Sequence, residues 1–276
     1  MPPTVLTIAG FDPSAGAGVG ADLKTIAALG FYGVGVVTAV TAQNTRGVQA
    51  IYPIPPQMIA QQIESIVADV EVRAVKVGML GTAGAVEVVA TLVEAYDLPN
   101  LVVDPVLRSG SGTELLEEGG AEALRARLFP RAVVVTPNLE EAAQLTGRPV
   151  RDLASMKEAA RQLRRMGARG ALVTGGHLPG RAVDVLLDGD EFALFDGSRV
   201  PVPGAHGLGC AFSSAVACGL ARGFTLVQAV DDAKRYVSRA LAGSRRVGRG
   251  SPLLDHGARF DAPPGGGGSV TNRSGR

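Results

Sequence analysis

The chain has 276 residues, with 27 Lys and Arg against 26 Asp and Glu, and two cysteines. The near-neutral balance leaves no electrostatic footprint for nucleic acid or an anionic membrane, and two cysteines make no disulfide framework. Histidines at 177, 206 and 256 are too scattered for a zinc site. Apolar runs break at Gly, Pro or charge well before the roughly 20 residues of a membrane span. The opening Met1-Pro2-Pro3 has no basic start of a signal peptide, so a cytoplasmic location is expected.

Val5 to Ala9 is a short β-prone run that leads into the Gly-rich stretch Gly10 to Gly20. Leu23, Ile26, Ala27 and Leu29 then share one helical face, ended by Gly30. Val34 to Ala42 reads as a second strand. Ile59, Ile63, Ile66 and Val67 mark a helix, and Ala74 to Val77 a strand. Val86, Val89, Ala90 and Val93 stand at i, i+3, i+4 and i+7, the spacing of another helix. Strands at Leu101 to Val103, Ala132 to Val135 and Ala171 to Val173 end in Asp104-Pro105, Thr136-Pro137-Asn138 and Thr174-Gly175-Gly176. Strand, polar turn and helix in repetition predict βαβ units and an α/β fold with a mainly parallel sheet. The rhythm then changes. Val183 to Leu187, Phe192 to Phe195 and Val200 to Val202, joined by Asp-Gly turns, predict an antiparallel meander. Helices at Phe212 to Leu220 and Val227 to Ala242 follow. Residues 1–258 read as one domain. The stretch 259–276, with its Pro-Pro-Gly-Gly-Gly-Gly-Ser run, buries too little apolar surface to order itself and is expected to be a tail.

Ligands of open α/β sheets bind beyond the carboxyl ends of the strands, and the unusual residues of this chain fall there. In Ala205-His206-Gly207-Leu208-Gly209-Cys210-Ala211, paired glycines precede an apolar helix. Free N–H groups at a helix start favour an anion, and Cys210 at that positive end is expected to have a lowered thiol pKa. The same glycines and cysteine also suit a plain turn and a small core residue. Gly16-x-Gly18 follows a strand and precedes a helix, but neither a dinucleotide fingerprint nor a P-loop is completed. It is either a place where substrate approaches backbone or a turn. Asn138 and Glu141 have the spacing of a helix capping box, the commoner arrangement, and a metal–water–phosphate site is compatible with it. No G-x-S-x-G elbow is present, which argues against acyl hydrolysis.

Taken together, the segments resemble the hydroxymethylpyrimidine/phosphomethylpyrimidine kinases of thiamine biosynthesis, within the ribokinase-like superfamily. The matching residues are Thr7 to Ser14, Gly16-Ala17-Gly18, Ala21 to Thr25, Thr38 to Thr45, Val75 to Leu80, Asp104-Pro105-Val106, Thr136-Pro137-Asn138, Gly175-Gly176-His177 and His206-Gly-x-Gly-Cys210. The resemblance implies a ribokinase-like sheet with helices on both faces. It implies ATP-dependent phosphorylation of the hydroxymethyl group of an aminopyrimidine, then of the monophosphate. Gln43 is implied as the ring-binding residue, with Gly10, Asp12, Gly16, Gly18, Met79 and Val106 around the substrate. Gly207, Gly209 and Cys210 are implied as the anion hole and base, Asn138, Thr174, Gly176 and Gly209 as the nucleotide site, and Glu141 and Asp104 as the Mg²⁺ side. ATP and Mg²⁺ are the implied donor and metal, and a homodimer is the oligomer it suggests. A pyridoxal- or pyridoxine-type kinase and a weakly active pyrimidine-binding regulatory descendant are the alternatives.

Three departures from that pattern remove groups expected near phosphate. Leu208 and Ala211 stand where the family has threonines, Thr174 stands where it has lysine before Gly-Gly-His, and Leu107-Arg108-Ser109-Gly110 replaces a lysine-bearing run. Arg108 is the candidate substitute for that second lysine, although its planar fork needs a different geometry.

Overall fold

Side chains of successive strand residues point to opposite faces of a sheet, and that alternation sets the layers here. The computed structural model describes residues 2–176, 178, 180, 182–197 and 205–257. Its strands are β1 (Thr4–Phe11), β2 (Tyr32–Asn44), β3 (Gly47–Pro53), β4 (Val72–Val77), β5 (Leu101–Val103), β6 (Val134–Val135), β7 (Gly170–Val173), β8 (Ala182–Asp188) and β9 (Glu191–Gly197). Among the described residues they form one sheet in the order β3-β2-β1-β4-β5-β6-β7-β8-β9. The strands from β2 through β7 pair in parallel, and β3, β8 and β9 run antiparallel at the edges. The predicted strand Val200 to Val202 lies outside the described residues, as do His177, Ala258 and the expected tail 259–276.

Eight α-helices cover the two faces among these residues: α1 (Gly18–Ala28), α2 (Pro56–Val67), α3 (Ala83–Ala95), α4 (Gly120–Ala123), α5 (Leu139–Thr146), α6 (Leu153–Arg165), α7 (Leu208–Ala221) and α8 (Leu226–Ala242). Leu6, Ile8, Leu101, Val103, Ala171 and Val173 bury against α2, α3, α5 and α6. Val5, Val102 and Leu172, one residue out of phase, bury against α1, α7 and α8. Strands buried on both faces read as continuous apolar runs, which is why β5 and β7 are legible so locally.

Two expectations are corrected by packing. The buried residues of α1 are Val19, Ala21, Asp22, Thr25 and Ile26; of the expected face Leu23, Ile26, Ala27 and Leu29 only Ile26 is fully buried, because a polar cluster lies beneath the helix. The helix expected from Phe212 begins at Leu208 and is buried along its length from Ala211 to Leu220, since α1 and α8 enclose it. Strand β3 was not anticipated. It is a partly exposed edge strand that returns from β2 through a short turn at residues 44–47.

Strand order reverses at β1, whose neighbours β2 and β4 lie on opposite sides. A crevice opens at the carboxyl ends of strands where such a reversal occurs. Gly10 to Gly18, Gly78-Met79 and Asp104 all sit at that end.

Candidate active site

The site grows from the turn between β1 and α1. Asp12, 3 % exposed, organises it. Its carboxylate accepts the Ser14 N–H at 2.8 Å, the Ser14 hydroxyl at 2.8 and 2.9 Å, and the Ala17 N–H at 3.1 Å. His206 Nε2 lies 2.8 Å from Asp12 Oδ2. Burial acts to raise the Asp12 carboxyl, but the hydrogen bonds from His206 and Ser14 outweigh it and hold the group below its usual range. The Gln43 amide, half-buried at the end of β2, lies 3.0 Å from the same His206 nitrogen. Gln43 and Asp12 therefore meet through His206, which sequence reasoning had placed in the motif without a role.

Gly207 presses against this turn. It has φ +83°, and a Cβ there would collide with the Gly16 carbonyl. Gly16 in turn lies against His206 and Leu253, and Gly10 against the Met79 sulfur, 2.8 Å from where a Cβ would stand. The two Gly-rich segments, from opposite ends of the chain, thus form one wall made of backbone. The first bond inside α7 runs from the Ala211 N–H to the Gly207 carbonyl. The N–H groups of Leu208, Gly209 and Cys210 precede it and have no helical acceptor, the arrangement that receives an anion.

Cys210 corrects an expectation. Burial pushes its thiol up to about 12, although the nearby Lys76 ammonium favours the thiolate. Although the side chain is only partly buried, the Lys76 charge does not outweigh the desolvation, and the thiol is held above its usual range. Beneath it lies a cluster that was not anticipated. Lys76 and Asp22, both 0 % exposed, pair at 2.8 Å. Asp22 also accepts the Thr7 hydroxyl at 2.6 Å and the Ser214 hydroxyl at 2.9 Å. Burial works against the Lys76 charge, and Asp22 together with Asp104 and Cys210 outweighs it and holds the amine protonated. The available signal was a lysine and a threonine at strand positions whose neighbours on the same face are apolar.

On the far side, Asp104 accepts the Ser213 hydroxyl at 3.0 Å and lies beside Gly209. The capping-box reading of Asn138 and Glu141 is realised: the Asn138 side chain accepts the Glu140 and Glu141 N–H groups, and Glu141 accepts the Asn138 N–H at 2.9 Å. Thr174 bridges to Asn138. Burial and then the neighbouring Asp104 charge push Glu141 up to about 8, and burial also raises Asp104. Each of these two acidic groups opposes ionisation of the other, and a bound cation would favour the charged form of both. Among the described residues no three acidic, His or Cys side chains gather as a metal cage. Two carboxylates suit Mg²⁺, which keeps waters and shares substrate phosphates. Val106 lies in the turn after Asp104, its N–H bound to the Asp104 carbonyl at 2.8 Å. Gly176 is exposed at the end of β7. The Arg108 guanidinium, the candidate substitute for the absent lysine, pairs with Glu114 at 2.8 Å on the exposed loop.

Residues 12–255 match the family described as phosphomethylpyrimidine kinase. A hydroxymethylpyrimidine/phosphomethylpyrimidine kinase of Streptomyces coelicolor is 48 % identical over 256 residues, covering 93 % of this chain and 95 % of that protein. The thiamine biosynthesis bifunctional protein ThiED of Geobacter sulfurreducens is 45 % identical over 254 residues, 92 % of this chain, and this chain spans 52 % of that protein's length. Among solved structures, the pyridoxal kinase of Staphylococcus aureus in complex with AMP-PCP and pyridoxal superposes with a TM-score of 0.85 at 34 % identity, over 94 % of this chain and 95 % of that one. No helix of the described residues is long and apolar enough to cross a membrane.

Proposed function

Because the chain belongs to the phosphomethylpyrimidine kinase family, we propose that the crevice at the end of β1 phosphorylates 4-amino-5-hydroxymethyl-2-methylpyrimidine and then its monophosphate, for thiamine biosynthesis. The chain is a kinase with a ribokinase-like fold, and ATP is its phosphoryl donor. The observation that carries the site assignment is the packing of the α7 start onto the β1–α1 turn, where His206 joins Asp12 to Gln43.

In this reading Gln43 binds the ring edge, since an amide offers both a donor and an acceptor. Gly10 and Met79 shape the wall beside it, and Val106 packs against the ring. The N–H groups of Leu208, Gly209 and Cys210 face the transferring phosphoryl group. Backbone donors are unaffected by the loss of the flanking threonines, so stabilisation of the developing charge survives Leu208 and Ala211. Asn138, Thr174 and Gly176 border the nucleotide. Asp104 and Glu141 would hold Mg²⁺, which when bound spreads the negative charge of the phosphates. Cys210 takes the hydroxymethyl proton. It would do so as the thiolate, the form that the Lys76 ammonium favours and burial opposes.

ADP release from Mg-ATP with the hydroxymethylpyrimidine, its monophosphate or pyridoxal tests the reading. Turnover of both pyrimidines, with pyridoxal slower by at least about 10²-fold, is the expected result. Turnover of pyridoxal alone would replace this reading with the pyridoxal-type kinase, which the Staphylococcus aureus likeness favours. Pyrimidine binding without turnover would favour the regulatory descendant, which the missing phosphate-facing lysines favour.

A further inference from the structure

We propose that His206 is the positioning residue that fixes which way round the Gln43 amide stands, and so makes the site select an aminopyrimidine edge over an oxo edge. The inference rests on Gln43 as the ring-binding residue.

The argument is a balance of donors and acceptors. Asp12 accepts on both oxygens from Ser14, on Oδ2 from Ala17, and faces His206 Nε2 at 2.8 Å. A carboxylate surrounded by donors offers only lone pairs, so the hydrogen in that contact belongs to His206 Nε2. The Gln43 amide approaches the same nitrogen at 3.0 Å. With the amide nitrogen on that side, two donors would point at each other. The other end of the amide meets Thr41 Oγ1 at 3.1 Å, and that hydroxyl also reaches the Phe11 carbonyl at 3.1 Å. Thr41 has one proton, and the Phe11 carbonyl can only accept. With the amide oxygen beside Thr41, the hydroxyl would have to donate twice. Reversal of the amide resolves both conflicts: the Gln43 oxygen shares the His206 N–H with Asp12, and the Gln43 nitrogen donates to Thr41.

His206 itself has little freedom. Its side chain is 20 % exposed, its backbone N–H donates to the Pro252 carbonyl at 3.0 Å, and its ring lies against Gly16. A planar amide held from both flanks keeps one oxygen lone pair and one N–H for the ring. An aminopyrimidine edge presents a donor beside an acceptor, and the oxo analogue presents the reverse. A fixed amide is complementary to one of them, whereas an amide free to turn over accommodates both.

The test compares kcat/KM for the aminopyrimidine and for its 4-oxo analogue in the wild type, His206→Leu and His206→Gln. The wild type should prefer the amine by at least about 10²-fold. His206→Leu should lower that ratio at least tenfold, mostly through KM, and His206→Gln, which restores an N–H at similar reach, should keep it within about threefold. An unchanged ratio in His206→Leu would overturn the proposal. Should that variant fail to fold, Thr41→Val removes the other flank and should lower the ratio in the same way, and an unchanged ratio there is equally decisive against it. Long-range proton–nitrogen correlation of the free enzyme reads the hydrogen on His206 Nε2 directly. A ring protonated on Nδ1 alone overturns the proposal whatever the enzyme phosphorylates, whereas failure of pyrimidine turnover with Nε2–H present counts against the substrate reading.

Discussion

At the scale of single residues, Cys210 separates what a motif implies from what its surroundings impose. A helix start lowers a thiol pKa when the group remains in water. Here burial prevails and pushes the thiol up to about 12. The free enzyme should therefore react slowly with iodoacetamide at pH 8, by roughly three orders of magnitude relative to an ordinary cysteine. The rate should climb about tenfold per pH unit between 8 and 10, because the thiolate fraction does so below the pKa. Labelling followed by peptide mass spectrometry reads both, and fast labelling at neutral pH would contradict the burial argument. Cys210→Ala should lower kcat by at least about 10²-fold, the range of general base catalysis, while pyrimidine affinity by calorimetry changes less than about threefold. A comparable loss of affinity would assign Cys210 to binding instead.

At the scale of elements, the start of α7 works because Gly207 lets two backbones touch. Its φ of +83° lies in the left-handed region, and a Cβ there would meet the Gly16 carbonyl. Gly207→Ala combines the left-handed penalty of about 1–2 kcal/mol with displacement of the β1–α1 turn. The variant should melt lower and lose kcat/KM by more than tenfold. Unchanged activity would mean that the contact between the two turns is incidental to catalysis. The glycine pairs were visible in the sequence, as was the polarity of the helix that follows. Their mutual contact was not, because no local pattern at Gly16 refers to Gly207.

At the scale of the molecule, the Lys76–Asp22 pair ties β4 to α1, and Ser214 adds α7 through Asp22. Both charges are removed from water, so losing one partner strands the other. Lys76→Met should destabilise by about 3–5 kcal/mol, read as a lower urea midpoint. The double variant with Asp22→Asn should recover much of that loss, since no charge is then left unpaired. An additive loss in the double variant would show that the two residues do not act as a pair. The same pair supplies the positive charge nearest the Cys210 thiol, so stability of the layers and chemistry at the helix start share one cluster.

The sequence by itself determined the alternation of strands and helices, the mainly parallel sheet, the capping-box spacing of Asn138 and Glu141 and the family resemblance, because periodicity, turn chemistry and motif spacing are local. It also placed Gln43, Asp104 and Cys210 at strand and helix ends, where an α/β sheet puts its ligands. Only the tertiary structure decided that His206 joins Asp12 to Gln43, that Lys76 and Asp22 pair under the site, and that Cys210 is held as a thiol. Hydrogen-bond partnership, burial and pKa depend on which distant segments pack together, and the bonded pairs here are 54 to 194 positions apart.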